Sequence, residues 1–195
     1  EIRDHVRMVI SPFGSHIYQF RSKKELLHAF IDVIKAHRDL YHEKKIRHRD
    51  ISLRNILLSE DEDQSVESCR PGLLIDLDFA IKMSDISRRS FLTNLRQGTL
   101  PFMAAAILME KKTHDADHDL ESFFYAFCWI CITREGPGRS RKGFKFERSS
   151  LTLWSGEPHD TPHQMGFKKL GTVLSASTFE DTIIADFHPY FDDLR

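Results

Sequence analysis

Residues 48–58 read HRDISLRNILL, a polar cluster that is followed at once by an apolar run. If the cluster forms one tight loop, Asp50 can orient an attacking hydroxyl and accept its proton, and Asn55 can offer its amide oxygen to a magnesium ion. An HRD triplet alone arises easily by chance, whereas the complete string with its apolar tail does not. The stretch therefore predicts a loop that holds a catalytic carboxylate beside a metal ligand.

A second string, LLIDLDFA at residues 73–80, places Asp76 at the end of an apolar segment. Carboxylate oxygens at such a point suit magnesium bound to a triphosphate. Taken alone, the string is more typical of a half-buried strand that ends in solvated acids. Its position downstream of the first string makes Asp76 a candidate metal ligand. The apolar runs 51–58 and 73–75 are short enough to pair as strands across an acidic loop at 59–65.

Two helices are predicted on either side of these strings. Ser22 begins the first, with Glu25 three residues later as a capping box, and its helical period continues to about Glu43. The second, residues 118–132, is apolar on nearly all sides and is expected to be a buried central helix. The pattern predicts a mainly α-helical lobe with a small hairpin that carries the polar residues.

Composition limits the classes of partner. The 195 residues carry a formal net charge of −1, so we expect no nucleic acid partner, and no apolar run is long enough for a membrane span. Three cysteines are too few for a disulfide scaffold and indicate an intracellular location. Cys128 and Cys131 lie in an apolar run, which favours buried thiols over a redox or zinc pair.

Three other polar segments each permit a functional and a structural interpretation. Asp119 begins the second helix, where its carboxylate can either accept backbone N–H groups from a neighbouring loop or simply favour the helix dipole. Residues 114–118 hold two His and two Asp, and a solvated surface turn is favoured there over a metal site. Residues 134–150 hold six Arg or Lys among Gly and Ser, which predicts a basic surface loop, and Trp154 beyond them is a predicted core anchor.

Six strings follow one another along the chain: PFG at 12–14, KAHR at 35–38, HRDIS at 48–52, IDLDFA at 75–80, GTLPFMA at 98–104 and HDLESFFY at 118–125. Together they resemble the fungal-type protein kinase family. The HRDxxxxN pattern of residues 48–55 matches the catalytic loop of protein kinases. The resemblance is strong over about residues 5–133, and it implies a protein substrate, ATP, magnesium, and transfer of the terminal phosphoryl group to Ser or Thr.

The resemblance also implies a domain plan. Residues 1–195 would form a kinase-like C-terminal (large) lobe of an α+β kinase fold that lacks the N-terminal small lobe, which is expected in cis. Without that lobe we expect the chain alone to have little or no activity. The expected parts are residues 1–14 as the last small-lobe strand and hinge, 46–80 as the catalytic loop and metal-binding strand, 81–106 as the activation segment, and 118–132 as the central helix.

Individual residues acquire expected roles in the same way. Asp50 would be the catalytic base, and Asn55 and Asp76 would bind magnesium. Arg54 would supply the positive charge that Ser/Thr kinases carry at the position of Ser52 here. The other expected site residues are Arg49 against the activation segment, Leu57 beneath the adenine, Ile10 and Ser11 in the hinge, and His48, Thr99 and Asp119 as structural support.

The chain departs from the family pattern at two points. Residues 76–78 read DLD, so the Phe and Gly of the usual metal-binding triplet are replaced. Ala106 stands where a Glu normally ends the activation segment, which removes a buried ion pair and is expected to loosen that segment.

Two alternative functions fit parts of the same pattern. A small-molecule kinase of the aminoglycoside or choline type shares the catalytic strings, but it lacks a segment ending in GTLPFMA, which favours a protein substrate. A pseudokinase-like interaction module is favoured by the missing small lobe and by Ala106. The presence of Asp50, Asn55 and Asp76 argues against it.

Overall fold

Helices dominate the computed structural model, which describes residues 13–60, 69–85, 98–109 and 113–195. The helices are α1 (Lys23–His42), α2 (Ala105–Leu108), α3 (Ala116–Thr133), α4 (Thr152–Ser155), α5 (Pro162–Val173) and α6 (Ala176–Thr182). The strands are β1 (Gly14–His16), β2 (Ile46–Arg47), β3 (Ile56–Ser59), β4 (Gly72–Leu74), β5 (Ile81–Lys82), β6 (Arg134–Gly136) and β7 (Arg139–Ser140). Both helices predicted from the apolar periodicity are confirmed.

The start of α1 shows one half of the predicted capping box. The Ser22 hydroxyl accepts the backbone N–H of Glu25 at 3.1 Å, as expected. The Glu25 carboxylate does not return to Ser22. It accepts the backbone N–H of Arg21 instead and pairs with the buried guanidinium of Arg70 at 3.0 Å. The capping-box prediction was therefore wrong in this half, because a buried arginine from 45 residues away competes for the carboxylate.

A three-stranded antiparallel sheet has the order β1-β3-β4. Ile56 lies opposite Leu74, so the prediction that the two apolar runs pair is confirmed. β1 was not predicted as a strand of this sheet, because residues 1–14 were expected to form the last small-lobe strand and the hinge, whereas Gly14 pairs with Ser59. The strand predicted before it, together with the expected hinge residues Ile10 and Ser11, lies outside the described residues.

The sheet is seated on α1 through Gly72. A Cβ at this position would lie 2.2 Å from the carbonyl oxygen of Ala29, so only glycine permits the strand to approach the helix so closely. The Gly72 N–H donates to the Asp32 carboxylate at 3.2 Å. This contact fixes the β3–β4 hairpin, and both candidate metal ligands lie at its ends.

The core forms around α3. Trp154 and Tyr125 are fully buried, with ring centroids 4.6 Å apart, and the Trp154 indole N–H donates to the Thr172 hydroxyl at 2.9 Å. The prediction of Trp154 as an anchor is confirmed. Cys128 and Cys131 are also buried, as predicted, and burial raises the pKa of the Cys131 thiol to about 12.

The basic stretch after α3 is more ordered than a plain loop. β6 and β7 pair as a hairpin, and residues 146–148 form a short 3-10 helix. The interpretation of residues 134–150 as a loop was therefore wrong in part, because the two short strands contain no large apolar residue that would indicate a strand. In the parts of the chain that the structure describes, none of the helices is long and apolar enough to cross a membrane.

Candidate active site

Asp50 and Asn55 lie side by side on one loop. A 3-10 helix over Leu53–Asn55 closes the loop and leads directly into β3. The Asn55 side-chain N–H₂ donates to the Asp50 carbonyl oxygen at 2.8 Å and to the Asp50 carboxylate at 3.3 Å. Because the amide nitrogen is directed at Asp50, the amide oxygen is the atom of Asn55 that can reach a cation.

A backbone hydrogen bond of the neighbouring residue holds Asp76 close to Asn55. The N–H of Ile75 donates to the carbonyl oxygen of Asn55 at 3.0 Å, so Asp76 is one residue away from this contact. Asp76 is exposed and adopts a left-handed backbone with φ of 68°, which is uncommon for a residue other than glycine. Its carboxylate accepts the N–H of Asp78 at 3.1 Å.

His48 joins the catalytic loop to the metal-binding strand. Its Nε2 donates to the carbonyl oxygen of Ile75 at 3.1 Å, and its Nδ1 accepts the N–H of Asp50 at 3.4 Å. Burial lowers the pKa of His48, although the nearby charge of Asp119 opposes the shift. The neutral ring with its hydrogen on Nε2 is the form that satisfies both contacts.

Asp119 braces the loop from beneath. Its fully buried carboxylate accepts the backbone N–H of Arg49 at 3.2 Å and lies 2.9 Å from His37 Nε2 and 2.7 Å from His114 Nε2. Burial would raise the pKa of Asp119, but hydrogen bonds from His114 and His37 hold it well below its usual range. Arg49 has a φ of 74°, so the brace stabilises a strained backbone position at the start of the loop.

Two histidines of this brace were missed as site residues. His37 shares a helical face with the buried Phe30 and Val33, so the 3.6-residue period was a signal that could have placed it in the core. His114 was assigned to a solvated turn, and that interpretation is wrong. His114 is 8% exposed and His118 is 3% exposed, because the turn packs under the catalytic loop.

The end of the expected activation segment contacts the catalytic loop. The Thr99 hydroxyl donates to Asp50 Oδ1 at 3.0 Å. Gly98 has a φ of 124°, and a Cβ there would lie 3.1 Å from the carbonyl oxygen of Arg49. The Asp50 carboxylate is thus held on one oxygen by Thr99 and on the other by Asn55. Arg49 was expected to contact the activation segment, and residues 86–97 of that segment lie outside the described part of the chain.

Two other expected site residues have no such contact in the described structure. Leu57 is half-buried in the central strand, between His16 and Leu73. Arg54 is exposed on the 3-10 helix, and no contact among the described residues joins it to Asp50. The direct contacts therefore gather His48, Asp50, Asn55, Thr99 and Asp119, with Asp76 at the adjoining strand end.

The donor set suits a hard cation. Carboxylate and amide oxygens are the ligands that magnesium prefers, and a magnesium ion takes only one or two carboxylates and completes its shell with phosphate and water. Among the described residues, no group of three or more His, Cys, Asp and Glu side chains could hold a metal ion by itself. Asn55 and Asp76 therefore fit a metal that arrives with a nucleotide.

The mainly helical fold is compatible with that of a kinase-like transferase. The sequence model of the fungal protein kinase family matches residues 1–131, about two thirds of the chain, and the chain belongs to this family. Kinases of this family generally use ATP and magnesium. No curated protein matches the sequence.

Proposed function

We propose that the chain is the large lobe of a protein kinase that transfers the terminal phosphoryl group of ATP to Ser or Thr hydroxyls of a protein. The supporting observation is the Asp50 carboxylate, whose two oxygens accept hydrogen bonds from Thr99 and Asn55 respectively. A carboxylate fixed in this way can orient a hydroxyl without first losing rotational freedom.

In the proposed reaction, the substrate hydroxyl oxygen bonds to the terminal phosphorus. The bond from that phosphorus to its bridging oxygen breaks, and ADP leaves with the bond's electron pair. Asp50 orients the hydroxyl and accepts its proton. Asn55 and Asp76 would hold magnesium, which neutralises charge on the phosphate oxygens when it is bound. Leu57 would lie beneath the adenine.

A protein substrate is favoured over a small molecule by the position of Thr99. Thr99 belongs to the segment that docks peptides in the family resemblance, and here it contacts the proposed base directly. Because Thr99 is hydrogen-bonded to Asp50, a peptide bound along the segment would lie at a fixed distance from Asp50. A small-molecule kinase has no need for such a link.

The test is transfer of labelled phosphate to protein by the complete natural gene product that contains this chain. We expect Asp50→Asn and Asp76→Asn each to reduce turnover by at least about a hundredfold. Asp78→Asn is the matched control, because Asp78 is exposed on the same loop, and it should retain most activity. Parental rates in both Asp50 and Asp76 variants would contradict the proposal, and a folded wild-type protein with no turnover would favour the pseudokinase-like alternative.

A further inference from the structure

Lys169 is buried beneath the end of the expected activation segment. It lies in α5 and is fully buried, which is rare for lysine unless its charge is satisfied. Its Nζ donates to the carbonyl oxygens of Leu100 at 3.3 Å, Pro101 at 2.8 Å and Met103 at 2.7 Å. An ammonium group has three N–H donors, so these three carbonyls use all of them.

The same cluster holds the other end of the segment. The Tyr125 ring lies with its centroid 4.2 Å from the Lys169 ammonium, and the Tyr125 hydroxyl donates to Glu121. The same Glu121 carboxylate oxygen accepts the backbone N–H of Ala105 at 2.9 Å. Lys169 therefore binds the carbonyls that precede α2, and Glu121 binds an amide of its first turn.

A short series of contacts connects Lys169 to the catalytic loop. Lys169 holds Leu100, the next residue is Thr99, and the Thr99 hydroxyl donates to Asp50. The position of the segment relative to the proposed base is thus set from α5, 70 residues downstream of Thr99. The carboxylate that normally anchors this segment is absent, because Ala106 occupies its position.

We propose that Lys169, together with Glu121 and Tyr125, replaces the missing anchor, and that Lys169 is a positioning residue for the peptide-docking segment. The assignment of the segment to peptide docking rests on the proposed function, whereas the anchoring itself does not. The polar groups that face Lys169 are the carbonyl oxygens of the segment and, from α3, the Tyr125 ring and the Glu121 carboxylate. Of these, the Glu121 carboxylate carries the opposite charge.

The anchoring is tested by hydrogen exchange on the 195-residue chain. In Lys169→Met, the amides of Phe102, Met103 and Ala105 should exchange at least about tenfold faster, because the segment can then open locally. The matched control is Lys168→Met. Lys168 is the adjacent residue of the same helix, but it points to Asp160 at 2.6 Å and does not touch the segment. Unchanged exchange in a folded Lys169→Met protein would overturn the inference.

A milder variant covers the case in which Lys169→Met does not fold. Glu121→Gln keeps an oxygen for Ala105 and removes only the charge that faces Lys169. It should accelerate exchange of the Met103 and Ala105 amides by a smaller factor, while exchange within α1 stays unchanged. If the Glu121→Gln segment exchanges like wild type, Glu121 is not part of the anchor.

The docking role is tested separately by kinetics of the complete gene product. Lys169→Met should raise KM for the protein substrate, and the factor of that increase should be about ten times the factor for KM of ATP. Equal effects on both constants would indicate general loosening and would contradict a docking role. If wild type transfers no phosphate but exchange responds as expected, the proposed function fails and the anchor stands. If wild type is active but exchange and substrate KM do not respond, the anchor fails and the function stands.

Discussion

The backbone of Gly72 contacts the backbone of Ala29 so closely that a Cβ on Gly72 would lie 2.2 Å from the Ala29 carbonyl oxygen. Backbone atoms on both sides leave no flexible side chain that could move aside. This contact packs β4 directly against α1. Asn55 comes just before β3 and Asp76 just after β4, so both lie at the open end of the β3–β4 hairpin.

Gly72→Ala should therefore destabilise the chain by about 3 kcal/mol or more, because the strand must move away from the helix. Gly171→Ala is the control, since Gly171 lies in α5 with nothing within 4 Å of a new Cβ. That change should be neutral or should stabilise by about 0.5–1 kcal/mol. Urea unfolding of both variants measures the difference, and similar stabilities would contradict the close contact.

Asp119→Asn should cost about 3–5 kcal/mol of folding free energy, because it removes the charge from a buried carboxylate that three donors share. The control is Asp117→Asn on the same first turn, where the carboxylate is exposed, and a change within about 1 kcal/mol is expected. Thermal and urea unfolding would report both. An Asp119→Asn protein as stable as the Asp117→Asn protein would show that Asp119 does not brace the loop.

Lys169 should make the free energy of unfolding increase with pH between about 7 and 10.5. Burial lowers the pKa of Lys169 from 10.5 to about 7, while Glu121 opposes the shift. Between these two values the unfolded chain binds more protons than the folded chain, so folding is favoured as pH rises and disfavoured as pH falls toward 7. Below about pH 7 both states are protonated and the dependence ends.

The free energy of unfolding of wild type, taken relative to Lys169→Met, should accordingly rise by up to about 1.4 kcal/mol per pH unit above pH 7. Other titrating groups cancel in this difference because both proteins carry them. Denaturant unfolding at several pH values from about 6 to about 9 supplies the comparison. A difference that stays flat, or falls, as pH rises would contradict a lowered pKa of Lys169 in the folded chain.

Thr99→Val should lower kcat of the complete gene product by about tenfold, because the Asp50 carboxylate loses one of the two groups that orient it. Thr99→Ser keeps the hydroxyl and should retain most of the activity. Retained activity in Thr99→Val together with loss in Thr99→Ser would indicate that the methyl group, rather than the hydrogen bond to Asp50, is what matters.

Local patterns predicted much of this architecture, and non-local contacts escaped them. The period of α1 and the apolar character of α3 were readable because each is a property of one segment. The placement of Asp119 came from its motif. The Arg70–Glu25 pair and the Lys169 anchor join residues 45 and 66–69 positions apart, and nothing in their immediate sequence indicates their partners. Such buried charges follow from tertiary packing, which overrides the rule that Lys and Arg lie on the surface.

The candidate site shows the same difference between residues indicated by local patterns and residues brought in by non-local contacts. Asp50, Asn55 and Asp119 could be predicted as site residues from two short local strings, one in a loop and one at a helix start. The histidines around Asp119 were not, because His37 and His114 come from two segments that meet only in the fold.

The two contacts of His48 make the loop and the metal-binding strand respond together to protonation. A proton added to Nδ1 would turn its lone pair into a second donor, opposite the N–H of Asp50, and two donors would then face each other. Because burial lowers the pKa of His48, this conflict arises only at pH values below the usual range for histidine. The neutral ring therefore keeps its contacts with the catalytic loop and with the strand that leads to Asp76 at pH values at which an exposed histidine would gain a proton.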